Sequence, residues 1–592
     1  MARPYFSTSS NKIVQLMKVA LGEAEADIAI VNGDLVNVYT GELLKNHTVL
    51  IKGNTIAYAG EKAPSAAIRS NTRVIRAEGK TIIPGFLDSH THVDDKYFPD
   101  KLVSYAIRGN TATIITETAA IGSLLGYRGV LEFMKACRRQ PVRFFFTVPP
   151  VVCVSPSAEK HCALSQLELK RLLREKDVLG LGEVSWAQVN ENHARLLETI
   201  ATTLNSGKHV DGHAAGARER KLQAFFAAGV SSCHEPTNAE EVLERLRMGI
   251  FVPIREGEVR KDLAETAKIR DFQIDKKLLG ISADGVDPRQ LVNDGYMDFV
   301  VQKAINHGID PIIAIQMATV NPASHFGLNF IGGIAPGKLA DIAIIPDLTH
   351  IKAEIVIING KIVMQDDKVT AKPRKTVFPG SFYQSIKLDH EFTGSDFDIN
   401  IPNRNPVKIR VIDMVSDLVA REAILEVAAK QGILVTDLDE DILKVAAIDR
   451  YWNPGKFAVG FIRGFGLKKG AIATSTAWDC AYIMVVGVNN ADMARAVNRI
   501  KETQGGTVVC ADNEVIAELP LPVAGLFSDK SMEFIAGKYD DIQHAAQKFG
   551  TKLPDIHMSL QVLATPSIPF LRICEEGLFD LKQNKFVSLI AE

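Results

Sequence analysis

Residues 84–95, Pro84-Gly85-Phe86-Leu87-Asp88-Ser89-His90-Thr91-His92-Val93-Asp94-Asp95, run from apolar side chains into a His-x-His pair. Positions i and i+2 of an extended chain face the same side, so His90 and His92 would project together from a strand end. Two imidazoles on one face, with other strand ends converging on them, can bind a divalent metal. Alone, a His-x-His pair is a weak signal. Its weight comes from position: it closes the first of a series of apolar runs that alternate with amphipathic segments over residues 81–335.

Those runs predict strands at Ile82–Leu87, Thr111–Thr116, Arg143–Val148, Val178–Val184, His209–Gly212, Val230–Cys233, Ile250–Arg255 and Leu278–Ala283. Helical patterns such as LSQLELKRLLRE and AEEVLERLRMG lie between them. Eight βα units in about 250 residues predict a (β/α)8 TIM barrel, whose chemistry sits at the C-terminal ends of its strands.

Ligand-type residues recur at those ends. Glu183 closes the fourth run in GLGEVSW, where Gly180 and Gly182 keep the strand end slim. His213 follows the fifth run in VDGHAAG, His234 the sixth in SSCHEP, and Asp284 the eighth in GISADG. Each taken singly reads as an ordinary core or surface residue. Together, on five strand ends of one predicted barrel, they read as a metal site. Glu183 would bridge two divalent ions, His90, His92 and Asp284 serving one and His213 and His234 the other. Metal binding lowers the pKa of water toward ~7 and supplies a nucleophile at neutral pH. Asp284 is placed to take that proton and pass it to a leaving group. The predicted chemistry is hydrolysis at an sp² carbon bearing nitrogen or oxygen. Glu235 is a second candidate for proton transfer, with a salt bridge as the alternative.

Other features weigh less. Arg255 and Glu256 end the seventh strand, to orient substrate or to pair with each other. Gly464, Gly466 and Gly470 in RGFGLKKG lack Walker or Rossmann spacing and read as a turn. Trp478 suits either a packed core or a stacked purine. Ser185 and Trp186 follow the bridging glutamate and are candidates to face substrate.

The flanks are β-rich. Residues 27–60 read as short antiparallel strands punctuated by Asn32-Gly33 and Gly53-Asn54, and the texture returns at 339–364. The echo of Ala26–Ile30 (ADIAI) in Ala340–Ile344 (ADIAI) predicts one β sandwich built from both flanks. After residue 370, Pro373, Pro379 and HEFTGSDFD read as a connector to an additional C-terminal α/β domain. That domain has predicted helices at 416–430 and 492–503 and strands at Phe457–Phe461, Ile483–Val488 and Val508–Ala511. The expected division is 1–80, 81–335, 336–372 and 373–592.

The 592 residues carry 68 Lys+Arg against 70 Asp+Glu, so no basic excess supports nucleic-acid binding. Hydrophobic residues at 46% and charged residues at 23% are ordinary for globular chains and exclude wholesale disorder. Seven cysteines, at 137, 153, 162, 233, 480, 510 and 574, form no CxxC pair and fit a reducing, cytoplasmic setting. At the N-terminus, Ile13, Leu16, Met17, Ala20 and Leu21 recur at helical spacing, which predicts an amphipathic helix rather than a signal peptide. No apolar run reaches the ~20 residues a membrane helix needs.

PGFLDSHTH, the ordered ligands and NPASHFGL…GGIAPGKLADIAIIPD at 321–346 resemble the amidohydrolase superfamily. Within it, HEPTNAEEVLERLRMGI, GFIRGFGLKKGAIATS, VVGVNNADM, LPLPVAGLFSD and LATPSIPFLRICEEGLFD resemble the bacterial adenine deaminases over nearly the whole chain. The resemblance implies metal-dependent hydrolysis of adenine, a small-molecule substrate, to hypoxanthine and ammonia. It implies manganese first, with iron or zinc as alternatives, and a homodimer. Segments 93–96, 117–120 and 478–482, and Cys233 before His234, depart from that family's pattern. The segments at 117–120 and 478–482 would line the substrate pocket. Two other readings stand beside it: a related amidohydrolase acting on another amino-purine or a cyclic amide, and a non-catalytic scaffold on the same fold.

Overall fold

The computed structural model describes residues 9–150, 153–401, 406–568 and 570–591. Eight parallel strands form its centre: β1 (Phe86–Thr91), β2 (Thr111–Thr116), β3 (Arg143–Val148), β4 (Val178–Ser185), β5 (His209–His213), β6 (Ser232–Cys233), β7 (Val252–Arg255) and β8 (Leu279–Ser282). From β1 to β6 they pair in chain order as one sheet, and β7 pairs with β8. A parallel bridge between Ser232 and Phe251 joins the two groups. At the remaining seam the Ser89 hydroxyl donates to the Ile281 carbonyl (2.7 Å), and the Asp284 N–H donates to the His90 carbonyl (3.1 Å). The ring is thus closed partly by side chains. Strands buried on both faces explain why the sequence shows continuous apolar runs rather than alternation.

Seven of the eight predicted runs overlap the observed strands. The first, Ile82–Leu87, is divided. Thr81–Pro84 belongs to the flanking sheet, and β1 starts only at Phe86. Pro84 lacks an N–H to continue a ladder. At Gly85 a Cβ would stand 2.8 Å from that of Ala112, so the chain crosses between the two sheets at the one residue slim enough.

The two flanks meet as a single nine-stranded sheet, in which Ile342–Ile345 pairs antiparallel with Thr81–Pro84. It is mixed rather than wholly antiparallel: Ile28–Asn37 runs parallel to Arg73–Arg76 and to Thr81–Pro84. The sheet curls round a shared core of Ile30, Ile51, Ile82, Ile342, Ile344 and Ile357. The N-terminal helix, Ser10–Ala20, is capped by the Ser9 hydroxyl. It buries Val19 and leaves Ile13, Met17 and Leu21 exposed, so only part of its apolar set faces the core.

The C-terminal unit is an eight-stranded sheet with the helix Asn490–Thr503 on one face. Its contacts with the barrel side include Lys96–Tyr97, which pairs in parallel with Phe527–Ser528, and Arg289, which donates to Asp555 at 2.7 Å. The predicted helix 492–503 lies within the observed one. The predicted helix over 416–430 is wrong: Ala420–Val427 is a strand, paired along its length with Val407–Met414. Its alanines and glutamates favour helix locally. However, Ala423, Leu425 and Val427 alternate with Glu422, Ile424 and Glu426, and the open edge of the neighbouring strand selects that two-residue period. The segment read as a connector is packed, with Ile386, Leu388, Phe392 and Phe397 buried against the C-terminal sheet.

One buried cluster ties barrel to flanking sheet. Arg143 on β3 donates to Thr113 (2.8 Å), to Asp341 (3.0 Å) and to Asn359 (2.7 Å). Asp341 is the aspartate of the second ADIAI echo, and its other oxygen accepts the Asn359 N–H. Removing the arginine leaves a buried carboxylate without its counter-charge. Arg143→Met should therefore cost about 3–5 kcal/mol. The measurement is urea unfolding followed by circular dichroism, where the first transition should move to lower urea.

Candidate metal centre

All six predicted ligands converge at the C-terminal mouth of the barrel. Glu183, at the end of β4, is the hub. Its Oε1 lies 2.8 Å from His90 Nε2, 3.3 Å from His92 Nε2 and 3.3 Å from His234 Nε2. Its Oε2 lies 3.2 Å from His213 Nδ1. Asp284 Oδ1 stands 3.5 Å from both His90 Nε2 and His92 Nε2. The His90 and His234 rings stack at 4.1 Å. Four imidazoles and two carboxylates therefore share one small volume, and His90, Glu183, His234 and Asp284 each offer a ligand atom within 4.8 Å of the others.

Local structure explains the convergence. His90 and His92 leave β1 on one side. Asp284 follows β8 in the left-handed region, φ 47°, which turns its carboxylate back over the mouth. Gly182 admits Glu117 beside it: a Cβ there would stand 2.0 Å from Glu117 Oε2.

Charge at this centre favours a cation. Burial alone would raise the carboxyl of Glu183, but His234 and hydrogen bonds from His213, His90 and His92 hold it well below the ordinary range. Asp284 behaves likewise, with burial outweighed by His234, His90, His92 and Arg255. Correspondingly His90 is pulled well above the ordinary imidazole value, its burial offset by Asp284 and Glu183. The carboxylates thus demand positive charge, which protons on the imidazoles or divalent ions can supply. Nε2 of His213 is buried without a hydrogen-bond partner, as a metal site with nitrogen donors requires. The residues fit divalent ions.

Glu235 is placed beside the centre and not on its rim. Its Oε1 is 2.9 Å from His234 Nε2, 3.3 Å from His213 Nδ1 and 2.8 Å from Arg255 Nη1. Arg255 does not pair with Glu256. It donates to Glu235, to Asp284 (3.1 Å) and to Asp262 (2.8 Å), while Glu256 meets Lys303 at 2.5 Å. A single guanidinium therefore orients both acidic groups next to the imidazoles. Gly464 and Gly466 give their N–H groups to Asp441, a turn and not a phosphate cradle. Trp186 packs, its indole donating to the Ala215 carbonyl at 2.8 Å, whereas Ser185 lines the chamber.

Two buried acids, Asp88 and Asp211, escaped the sequence reading, and Glu117 was expected only as part of a pocket-lining segment. Asp88 accepts from the Tyr296 hydroxyl (2.7 Å) and the Ala283 N–H (3.1 Å), and its burial raises the carboxyl to about 7. Glu117 ends β2 with both oxygens unpartnered, and Asp211 accepts from Ser232 at 2.5 Å. Asp211 sits two residues before His213, on the same strand face, which is the signal that would have found it. Asp88 carries the same signal relative to His90.

The chain matches the amidohydrolase family over residues 81–363 and the adenine deaminase C-terminal domain over residues 417–585. It is 34% identical to an adenine deaminase of Moorella thermoacetica, covering 97% of this chain and 98% of that protein. An adenine deaminase of Clostridium botulinum is 33% identical over 98% and 97% of the two chains. One of Staphylothermus marinus is 34% identical over 99% of each.

Stripping divalent ions with a chelator should lower the unfolding temperature by several degrees, because ligand binding to the folded state alone stabilises it. Thermal scans before and after chelation, and after manganese is returned, measure this; full recovery on return is the expected result. At 33–34% identity over nearly the full length of these proteins, and with the matching barrel and C-terminal domain, the chain belongs to the adenine deaminase family.

Proposed function

We propose that this protein hydrolyses adenine to hypoxanthine and ammonia. The observation that carries the reading is Glu183 in reach of four imidazoles from three strand ends, in a chain of this family. His90, His92 and Asp284 would hold one divalent ion, His213 and His234 the other, with Glu183 between them. Manganese is the first choice, then iron or zinc. Bound there, such ions lower the pKa of water toward ~7 and polarise the ring position under attack.

The remaining work falls to the chain's own groups. Hydrolysis adds the oxygen of water at C6 and breaks the exocyclic C–N bond, and a proton must travel from water to the departing nitrogen. Asp284 accepts that proton at its Oδ1, the oxygen turned toward His90 and His92, while Arg255 holds its Oδ2. Glu235, tied to the same guanidinium, steadies His213 and His234. It serves as the second proton-handling group. Lining by Glu117 and Trp478 favours a related amino-purine as the second reading. Seven free, buried cysteines support a cytoplasmic home. Among the described residues no helix is long and apolar enough to cross a membrane. The homodimer rests on the family resemblance.

Manganese-loaded protein incubated with adenine should release ammonia in proportion to its metal content. His90→Ala should lose metal and activity together, and full activity in that variant would sink the assignment. Asp284→Asn should lower kcat by about 10²-fold or more, as loss of a proton-transfer group does.

A further inference from the structure

Above His92 the chamber is roofed by the C-terminal unit, through Trp478, Asp479 and Ser567. Trp478 and Asp479 lie in the loop between the strands Ala471–Thr474 and Tyr482–Gly487. The indole packs against a cluster of Leu418, Met558 and Val562. It also runs nearly parallel to the His92 ring, with 15° between planes and 6.3 Å between centroids. That centroid separation is within the range of an offset aromatic pair. A third planar ring stacked between them needs roughly 7 Å, twice an aromatic contact distance of ~3.5 Å. A ring therefore does not fit between them as they stand, and Trp478 lines the chamber beside His92.

The polar rim of the chamber is acidic. Asp479 is held in the left-handed region, φ 58°, a strained conformation for a non-glycine residue. Its Oδ2 accepts from the Thr565 hydroxyl at 3.3 Å. Asp94 gives one oxygen to the Ile121 N–H (3.1 Å), and the other is buried without a partner. Seven carboxylates line the chamber against two permanent cations, Lys96 and Arg255. Neither cation is free: Lys96 pairs with Glu258 at 2.6 Å, and Arg255 is committed to Glu235, Asp262 and Asp284. An anionic substrate would find no counter-charge there beyond the metal ions themselves. Ring N–H donors would find acceptors.

We propose that Trp478 and Asp479 are the specificity element of the site, taking a planar, uncharged amino-heterocycle under the indole with its N–H groups on Asp479 and Asp94. Phosphorylated nucleotides and carboxylate-bearing cyclic amides are excluded by charge. The inference rests on the hydrolase reading of this centre and names its substrate class. It places discrimination in the C-terminal unit, while the chemistry stays in the barrel.

The test uses full-length, manganese-loaded protein. Binding of adenine, 2,6-diaminopurine, cytosine, adenosine monophosphate and dihydroorotate is measured by calorimetry, with ammonia release and metal content alongside. An uncharged amino ring should bind, and the two anions should not. Trp478→Leu and Asp479→Asn should each weaken Kd and raise KM about tenfold with metal content unchanged, as loss of a stacking or hydrogen-bonding partner does. Trp478→Phe, which keeps a stacking face, should restore most of the loss and guards against a mere folding defect. The proposal is overturned if Trp478→Leu stays within twofold of wild type for the ring that wild type takes. Tighter binding of either anion, or binding of none of the five, also overturns it. Adenine turnover indifferent to both variants would sink this inference and leave adenine deamination standing. Trp478-dependent binding of another amino ring, with no ammonia from adenine, would do the reverse.

Discussion

Four imidazoles reach one carboxylate, Glu183, from three different strand ends, and the rest of the molecule is arranged so that they can. Unlike a helical or hairpin pair, these residues are up to 144 positions apart in the chain, from His90 to His234. Only a closed parallel ring brings its strand ends to a common mouth. Such a centre concentrates unfavourable charge if the cations are missing, so the ring must be stiff enough to hold the ligands against that repulsion. Its stiffness is visible at the seam, where Ser89 and the backbone of Asp284 tie β8 to β1 directly beneath His90.

Support for the centre comes from outside the ring as well. Arg143 locks β3 to the flanking sheet through Asp341, and that sheet is completed only by strands from both ends of the barrel. Arg255 coordinates the acids around the imidazoles from β7. The C-terminal unit contributes the roof, held down by the short parallel pairing of Lys96–Tyr97 with Phe527–Ser528. Lys96 adopts φ 69°, so the chain is bent immediately after the metal-binding strand in order to reach that partner. The residues that depart from the family's pattern at 93–96 and 478–482 are those at this junction. Asp94, Asp95, Lys96, Trp478 and Asp479 among them line the chamber, and none of them is among the six residues that converge at the mouth.

Much of the site was legible because its residues are tied to strand ends that announce themselves as apolar runs. His-x-His, Gly-x-Gly-Glu and the two later histidines each follow such a run, and parallel strands buried on both faces leave that mark. Asp88 and Asp211 were missed because a buried acid inside a strand looks the same in sequence whether it holds a backbone N–H, faces a ligand or simply ends a strand. The helix expected over 416–430 failed for a different reason. Local propensity and strand alternation were both present in Ala420–Val427, and the choice belonged to the neighbouring strand.

By itself, then, the sequence determined the order of strands, the six residues that converge at the mouth and the presence of a third, C-terminal unit, because each is a matter of local pattern and spacing. Tertiary structure alone decided that the first predicted strand divides at Gly85 between two sheets. It decided that Arg255 serves Glu235 and Asp284 rather than Glu256. It also decided that Trp478 lies nearly parallel to His92 at the wall of the chamber. Each of these depends on which distant backbone edge or charge comes within a few ångströms, and no local rule of propensity or period encodes that.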